Sequence, residues 1–168
     1  EFWKNLQDGV ESISFFTDEE MLESGIDRSV WSNPGYVKAS PIIDNAEYFD
    51  AGFFGYTDKE AELMDPQQRI FLECCWELFE NASYNPLTYD GSVGLYAGAS
   101  MNTYLLNNIA PNRHRLDSQD NLKVTTLDSM GGFQMMVAND KDYLATRTSY
   151  KLNLTGPSIN VQTACSTG

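Results

Sequence analysis

Of 168 residues only one is histidine, three are cysteine and 11 are lysine or arginine. Each scarcity excludes something. Eleven basic against 24 acidic side chains leave a formal charge of −13, which repels phosphate-coated surfaces, so neither nucleic acid nor an anionic membrane is an expected partner. Three cysteines, two of them adjacent as Cys74-Cys75, cannot form the even, spaced framework of a disulfide-stapled secreted domain, since neighbouring cysteines bridge only under strain. Reduced thiols in a cytoplasmic setting are the expectation. No apolar run approaches the roughly 20 residues that cross a bilayer, and Glu1-Phe2-Trp3-Lys4 is not the start of a basic-then-apolar signal segment. Lacking an initiating Met, the sequence reads as cut from a longer chain, with ends treated as artificial.

Apolar and aromatic side chains, at 42% and 12%, are by contrast plentiful enough for a buried core. Charge is unevenly spread: residues 1–90 carry 19 acidic and 5 basic groups, residues 91–168 carry 5 and 6. The acidic half reads as a solvated surface, which places a site in the second half.

Along the chain, Phe2, Trp3 and Leu6 fall near one helical face, and Ile13 to Phe16 read as a strand or a buried loop. Thr17-Asp18-Glu19-Glu20 and Thr57-Asp58-Lys59-Glu60 both have the Thr-x-x-Glu form of a capping box, in which hydroxyl and carboxylate each satisfy a free backbone donor. Asp65-Pro66 supplies a cap and a first-turn proline for a longer helix over residues 66–81. Its expected core face runs Ile70, Phe71, Cys74, Cys75, Leu78, Phe79. Residues 31–56, rich in rings, Gly, Pro and Asn, read as an irregular connector whose rings anchor it to a body. The glycines of 92–98 mark a slim strand in close backbone packing. Residues 100–136 give no clear pattern. Asn139 or Asp140 caps a helix through Tyr143 to Arg147, and 158–163 alternate with the period of a strand that runs into Ala164-Cys165-Ser166-Thr167. Helices mixed with strands give an α/β class, as one domain or part of one.

A cysteine just after a strand and before small residues suggests an elbow. A helix following such an elbow would aim its positive N-terminal end at the sulfur, favouring the thiolate and offering N–H donors to an oxyanion. By spacing alone the signal at Cys165 is modest, because a buried, inert cysteine is commoner than a nucleophile.

The quoted residues carry more than spacing. Residues 139–158, with Val161-Gln162-Thr163-Ala164-Cys165-Ser166-Thr167, resemble the β-ketoacyl synthase domain of modular polyketide synthases. So do Phe49-Asp50-Ala51-Gly52-Phe53-Phe54, Met64-Asp65-Pro66-Gln67-Gln68-Arg69 and Gly94-Leu95-Tyr96-Ala97-Gly98, in the family's order. The resemblance covers nearly the whole chain; only about 107–119 look individual. It implies a thiolase-like condensing-enzyme α/β fold, present here as the N-terminal part of one ketosynthase domain (1–168) truncated at both ends. It further implies a homodimer, in which Cys165 accepts an acyl chain from an acyl carrier protein and the acyl-enzyme then condenses with a malonyl-type extender. Substrates would arrive on phosphopantetheine arms, other synthase domains would be partners, and no metal or directly bound cofactor is implied. The family's two catalytic histidines and its lysine follow the cysteine beyond Gly168, so the fragment alone is expected to be inactive and to expose sticky apolar surface. A non-catalytic scaffold that binds carrier proteins is the rival reading, and retention of Cys165 argues against it. A cysteine hydrolase would need a histidine base that the chain does not show.

The remaining candidates have plain readings. His114, between Arg113 and Arg115, is expected on an exposed loop. Cys74 and Cys75 are expected in the core, and Met130, Met135 and Met136 serve equally as core filler or as pocket lining. Arg147 and Lys151, one helical turn apart, are expected on a solvated or salt-bridged face. Carrier proteins are usually acidic, so the acidic half is a poor docking face for one.

Overall fold

Both Thr-x-x-Glu boxes start helices because each closes in both directions. Thr57 N–H donates to Glu60 Oε2 at 2.8 Å, and Glu60 N–H donates to Thr57 Oγ1 at 3.2 Å; Thr17 and Glu20 repeat the pair at 2.7 and 3.2 Å. Caps of this kind contribute about 1 kcal/mol each. The computed structural model describes residues 2–112 and 130–167. It divides into two compact units, Glu1–Asn45 and Ala46–Gly168.

The first unit holds α1 (Phe2–Asp8), β1 (Ser14–Phe15), α2 (Asp18–Glu23), α3 (Arg28–Trp31) and β2 (Ala39–Ser40). β1 and β2 pair antiparallel, Ser14 with Ser40 and Phe15 with Ala39. The stretch expected as a strand or buried loop is therefore a two-residue strand, and Phe15 is exposed. Trp31 and Met21 are the buried apolar side chains of this unit. The Trp31 indole donates to the Ile26 carbonyl at 3.2 Å, and Lys38, which also pairs with Asp18, lies 4.8 Å from its ring centroid. Trp31 is thus held by one hydrogen bond and a cation over its ring.

The second unit holds α4 (Asp58–Leu63), α5 (Pro66–Asn81), β3 (Leu95–Ala97), a π turn (Leu105–Ile109), α6 (Met130–Asn139), a 3-10 turn (Lys141–Tyr143), α7 (Leu144–Lys151), β4 (Ser158–Asn160) and a second 3-10 turn (Ala164–Ser166). β3 and β4 run parallel, with Leu95, Tyr96 and Ala97 opposite Ser158, Ile159 and Asn160. Parallel strands need a helical crossover, and α7 supplies the layer that packs on both strands, with α5 against it. Asn160 fastens that layer: its Oδ1 accepts from Ala145 N–H at 3.1 Å and its Nδ2 donates to the Asp142 carbonyl.

The joint between α4 and α5 is buried and polar. Asp65, 2% exposed, caps α5 by accepting from Gln67 N–H at 2.8 Å, and its own N–H donates to the Ala138 carbonyl at 3.0 Å. Asn139 Nδ2 donates to the Leu63 and Met135 carbonyls, both at 2.8 Å, and Gln68 Nε2 donates to the Asp140 carbonyl at 3.1 Å. The end of α6 is thereby tied to the break that the sequence places at Asp65. Residues 130–136, which show no pattern in the sequence, are helical as part of α6, and Met135 packs on Leu63 and Ile109 while Met130 is exposed.

α5 buries Leu72 and Cys75 together with Leu152, and Phe49, Phe54, Tyr56, Phe71, Trp76 and Phe79 pack on them. Phe49 and Phe54 stack at 5.3 Å, so the rings of 49–56 do anchor that stretch. The expected face of α5 is partly corrected: Leu72 replaces Leu78 in the core, and Cys74 is exposed. Burial follows the stripe Gln68, Leu72, Cys75, Phe79, at spacings of four, three and four. Leu72→Ala is expected to lower unfolding free energy by about 2–5 kcal/mol, and Leu78→Ala by less than about 0.5 kcal/mol. Urea midpoints of the two variants check this, and equal losses would contradict the assigned face.

Candidate functional site

The site is built where β4 runs out. Val161 N–H still pairs with the Ala97 carbonyl at 2.8 Å, after which the chain turns at Ala164, whose φ is +53°. An L-residue in the left-handed region costs about 1–3 kcal/mol and persists only where its surroundings hold it. Here Thr163 N–H donates to Thr167 Oγ1 at 2.9 Å and Ser166 Oγ donates to the Thr163 carbonyl at 2.9 Å. The 3-10 turn closes with Ser166 N–H on the Thr163 carbonyl and Thr167 N–H on the Ala164 carbonyl, at 3.3 and 3.1 Å. Cys165 sits in the middle of that turn with its side chain exposed, and its N–H has no acceptor among the described residues.

Cys165 borders a cleft of about 930 Å³. Phe71, Tyr96 and Met101 give it apolar walls, and Gln67, Lys141 and Gln162 give it polar ones. Gly98 on the floor is required by close approach: a Cβ there would lie 2.3 Å from Thr167 Cγ2 and 2.4 Å from the Val161 carbonyl oxygen. Any side chain at 98 would push the Cys165 turn away. A second concavity, about 430 Å³, lies between Tyr56, Leu63, Phe133, Val137, Arg147 and Lys151 and contains no nucleophilic thiol. Its cations, expected on a solvated or salt-bridged face, are both half-buried, and neither is in an ion pair among the described residues. Arg147 donates to the Met64 sulfur at 3.3 Å, and Lys151 donates to the Gly55 carbonyl at 3.0 Å with its Nζ 3.7 Å from the Tyr56 ring centroid. Burial pushes the Lys151 ammonium below its ordinary pKa and the Tyr56 hydroxyl above its own.

Sequence reasoning found Cys165 and the close packing around 92–98, and missed Gln67, Gln162 and Thr167. The signal for the last was a hydroxyl two residues past the thiol, in a stretch too short for periodicity to speak. His114 and Gly168 lie outside the described residues. Among those residues the turn after β4 is three residues long, so the full helix expected to aim its positive end at the sulfur is not supplied by them. No group of three or more metal-ligating side chains occurs among the described residues, and no helix among them is long and apolar enough to cross a membrane.

The chain matches the family described as the N-terminal domain of β-ketoacyl synthase over residues 1–168. It is 41% identical, across 98% of its length, to a component of the phenolphthiocerol/phthiocerol polyketide synthase of Mycobacterium tuberculosis, of which it covers 11%. It is 36% identical to erythronolide synthase EryA2 of Saccharopolyspora erythraea, covering 98% of this chain and 4% of that one. Among solved structures it resembles ketosynthase twelve of the bacillaene polyketide synthase of Bacillus amyloliquefaciens, with a TM-score of 0.76, 32% identity, and coverage of 98% of this chain and 26% of that one. The module 1 ketosynthase of the bacillaene synthase from the same species gives 0.73 and 36%, at 99% and 26% coverage. The chain thus spans about a quarter of those ketosynthase chains and about a tenth or less of the curated synthases.

The three thiols differ in environment, which labelling can read. Burial, reinforced by the adjacent Cys74, pushes the Cys75 thiol up to about 11. Being raised, it holds Cys75 neutral and unreactive through neutral pH. Its stabilising share is complete below the ordinary thiol value near 9 and is lost as pH climbs to about 11. Iodoacetamide mapping at about pH 7.5 is expected to modify Cys165 and leave Cys75 unmodified until pH nears 11; early modification of Cys75 would contradict its burial.

Proposed function

We propose a function from one premise: the chain belongs to the β-ketoacyl synthase family, whose N-terminal domain it matches from end to end. It is a ketosynthase segment of polyketide synthase type, with the N-terminal part of the thiolase-like condensing-enzyme fold. On that premise Cys165 is the acyl-accepting nucleophile. Its thiolate attacks the thioester carbonyl of an acyl group carried on the phosphopantetheine arm of an acyl carrier protein. The bond from that carbonyl to the arm's sulfur breaks, the arm leaves as a thiolate that takes up the proton Cys165 had released, and the acyl group stays on Cys165. A malonyl-type extender on a carrier protein then loses carbon dioxide, and the resulting carbanion attacks the acyl carbonyl. The Cys165 thiolate departs, leaving a β-ketoacyl chain on the carrier. A thioester enzyme suits both halves: sulfur is a strong nucleophile in the first and a good leaving group in the second.

The observation that carries this reading is the exposed thiol held at a positive-φ turn on the rim of the large cleft. The Cys165 N–H beside it, without an acceptor among the described residues, suits an oxyanion donor. The family resemblance assigns the rest of the chemistry to histidines and a lysine that match no position in this segment, so the 168 residues alone are proposed not to condense. A second copy of the chain, the carrier protein and neighbouring synthase domains are the partners of the whole enzyme, and its setting is the cytoplasm.

Incubating the parent chain with a simple acyl thioester, followed by intact mass and peptide mapping, tests the assignment. Acyl mass is expected on the Cys165 peptide alone and lost in Cys165→Ala. A folded parent that stays unlabelled, or carries label equally on Cys74 and Cys75, would overturn the catalytic reading in favour of a carrier-binding scaffold.

A further inference from the structure

Two glutamine side chains hold one three-residue segment of the cleft wall. The backbone ladder between β3 and β4 ends with the Val161 to Ala97 bond. With its amide oriented to satisfy both groups, Gln162 donates to the Ala99 carbonyl at 3.0 Å and accepts from the Ala99 N–H at 3.1 Å. A primary amide carries the donor and acceptor of a peptide unit, so this side chain extends the ladder where the backbones have parted. Gln67, the second residue of α5, does the same for the next two residues: its Oε1 accepts from Ser100 N–H at 2.8 Å and its Nε2 donates to the Met101 carbonyl at 3.4 Å. Gln67 Nε2 also reaches the buried Asp65 carboxylate at 3.5 Å. Gln67, Gln162, the segment 99–101 and Cys165 all line the same cleft.

We propose that Gln67 and Gln162 are positioning residues for acyl transfer: clamped between them, the segment 99–101 is the fixed wall against which an incoming acyl thioester aligns with Cys165. This rests on Cys165 being the acyl acceptor. Neither glutamine touches the sulfur or moves a proton; each fixes a distance and an angle. Neutral hydrogen bonds at a wet cleft rim add little to global stability because water competes for both partners. A wall displaced by about 1 Å can nonetheless slow a reaction about 100-fold.

The test uses the intact condensing domain carrying Gln162→Leu, Gln67→Leu, both together, or Gln162→Glu. Acylation of Cys165 by an acyl thioester is followed against thioester concentration, beside alkylation by iodoacetamide and thermal melting. Gln162→Leu is expected to lower the saturating acylation rate about 10- to 100-fold. Iodoacetamide, too small to need the wall, should react within about twofold of wild type, and Tm should fall by no more than about 4 °C. The double variant should be little worse than the worse single one, since either loss frees the same segment. Gln162→Glu, close in shape should leucine fail to fold, keeps the acceptor but sets a carboxylate against the Ala99 carbonyl. Its rate relative to wild type should therefore recover as pH falls through about 4–5, where the protonated acid donates. Unchanged acylation, acylation and alkylation falling together, or losses that multiply in the double variant would each overturn the clamp. Failure of the wild-type domain to label at Cys165 would instead remove the nucleophile reading and the clamp with it.

Discussion

The surroundings of the thiol depend on two backbones lying in contact at Gly98. Parallel pairing in the register Ala97 to Asn160 carries the strand after β3 and the chain after β4 forward side by side. The next residues must then pass with room for nothing beyond a hydrogen atom, because a Cβ at 98 would meet the Val161 carbonyl and Thr167 within 2.4 Å. Close approach lets Val161 keep its ladder bond and lets Gln162 reach Ala99. Widening the gap by one methyl group would therefore loosen the wall and the Cys165 turn together. The same logic governs Gly156, whose added Cβ would sit 2.5 Å from the Val93 and Gly94 backbone at the other end of the pair. The two strands are narrow at both ends and carry Tyr96 and Ile159, both exposed, between them.

The helices set that pairing from behind. Leu144 and Ala145, 1% and 0% exposed, press on Ala97, and Asn160 ties β4 to the start of α7 through both ends of its amide. α5 meets α7 as well, and Leu95 of β3 packs directly on the cluster of Leu72, Cys75 and Leu152, so a change at Leu72 or Leu152 is felt at the strand at first hand. Asp65 joins this system at the helix break. It starts α5, which places Gln67 in the first turn and aims it at 100–101, and it locks the end of α6 through Ala138. Among the described residues this buried carboxylate has no ion pair, so the backbone N–H it accepts from offsets part of the cost of burying it.

What was legible along the chain and what was hidden follow from the range of the forces involved. Caps are local: Thr17, Thr57, Asp65 and Asp140 act within three residues, so their motifs predicted helix starts that the structure bears out. Periodicity is also local, but it ranks residues by apolarity alone, and so it admitted Leu78 where packing selected Leu72. Chain division into two units was not legible, because it depends on which contacts are made at long range. The thiol was found through family motifs and the strand before it. Gln67 and Gln162 stood inside those same motifs but 95 positions apart, and only the parallel register shows that they grip adjacent residues.

Ala164 brings these strands of reasoning together. Glycine would enter the left-handed region at no steric cost, yet the position holds a residue with a side chain at φ +53°. Glycine would also widen the set of conformations open to the turn, and Cys165 would then sample directions away from the cleft. Alanine narrows that set, and the hydroxyls of Thr167 and Ser166, each on the Thr163 backbone, select the left-handed member of it. Strain at 164 and hydrogen bonding at 163 are thus two halves of one device: the first removes alternatives and the second offsets its energetic cost. The glutamine clamp applies the same principle to the opposing segment, replacing loop freedom with paired donors and acceptors. A covalent mechanism needs both, since the thiol and the wall that orients its acyl donor come from chain segments roughly 65 residues apart, and only their joint fixation makes the cleft a reaction site.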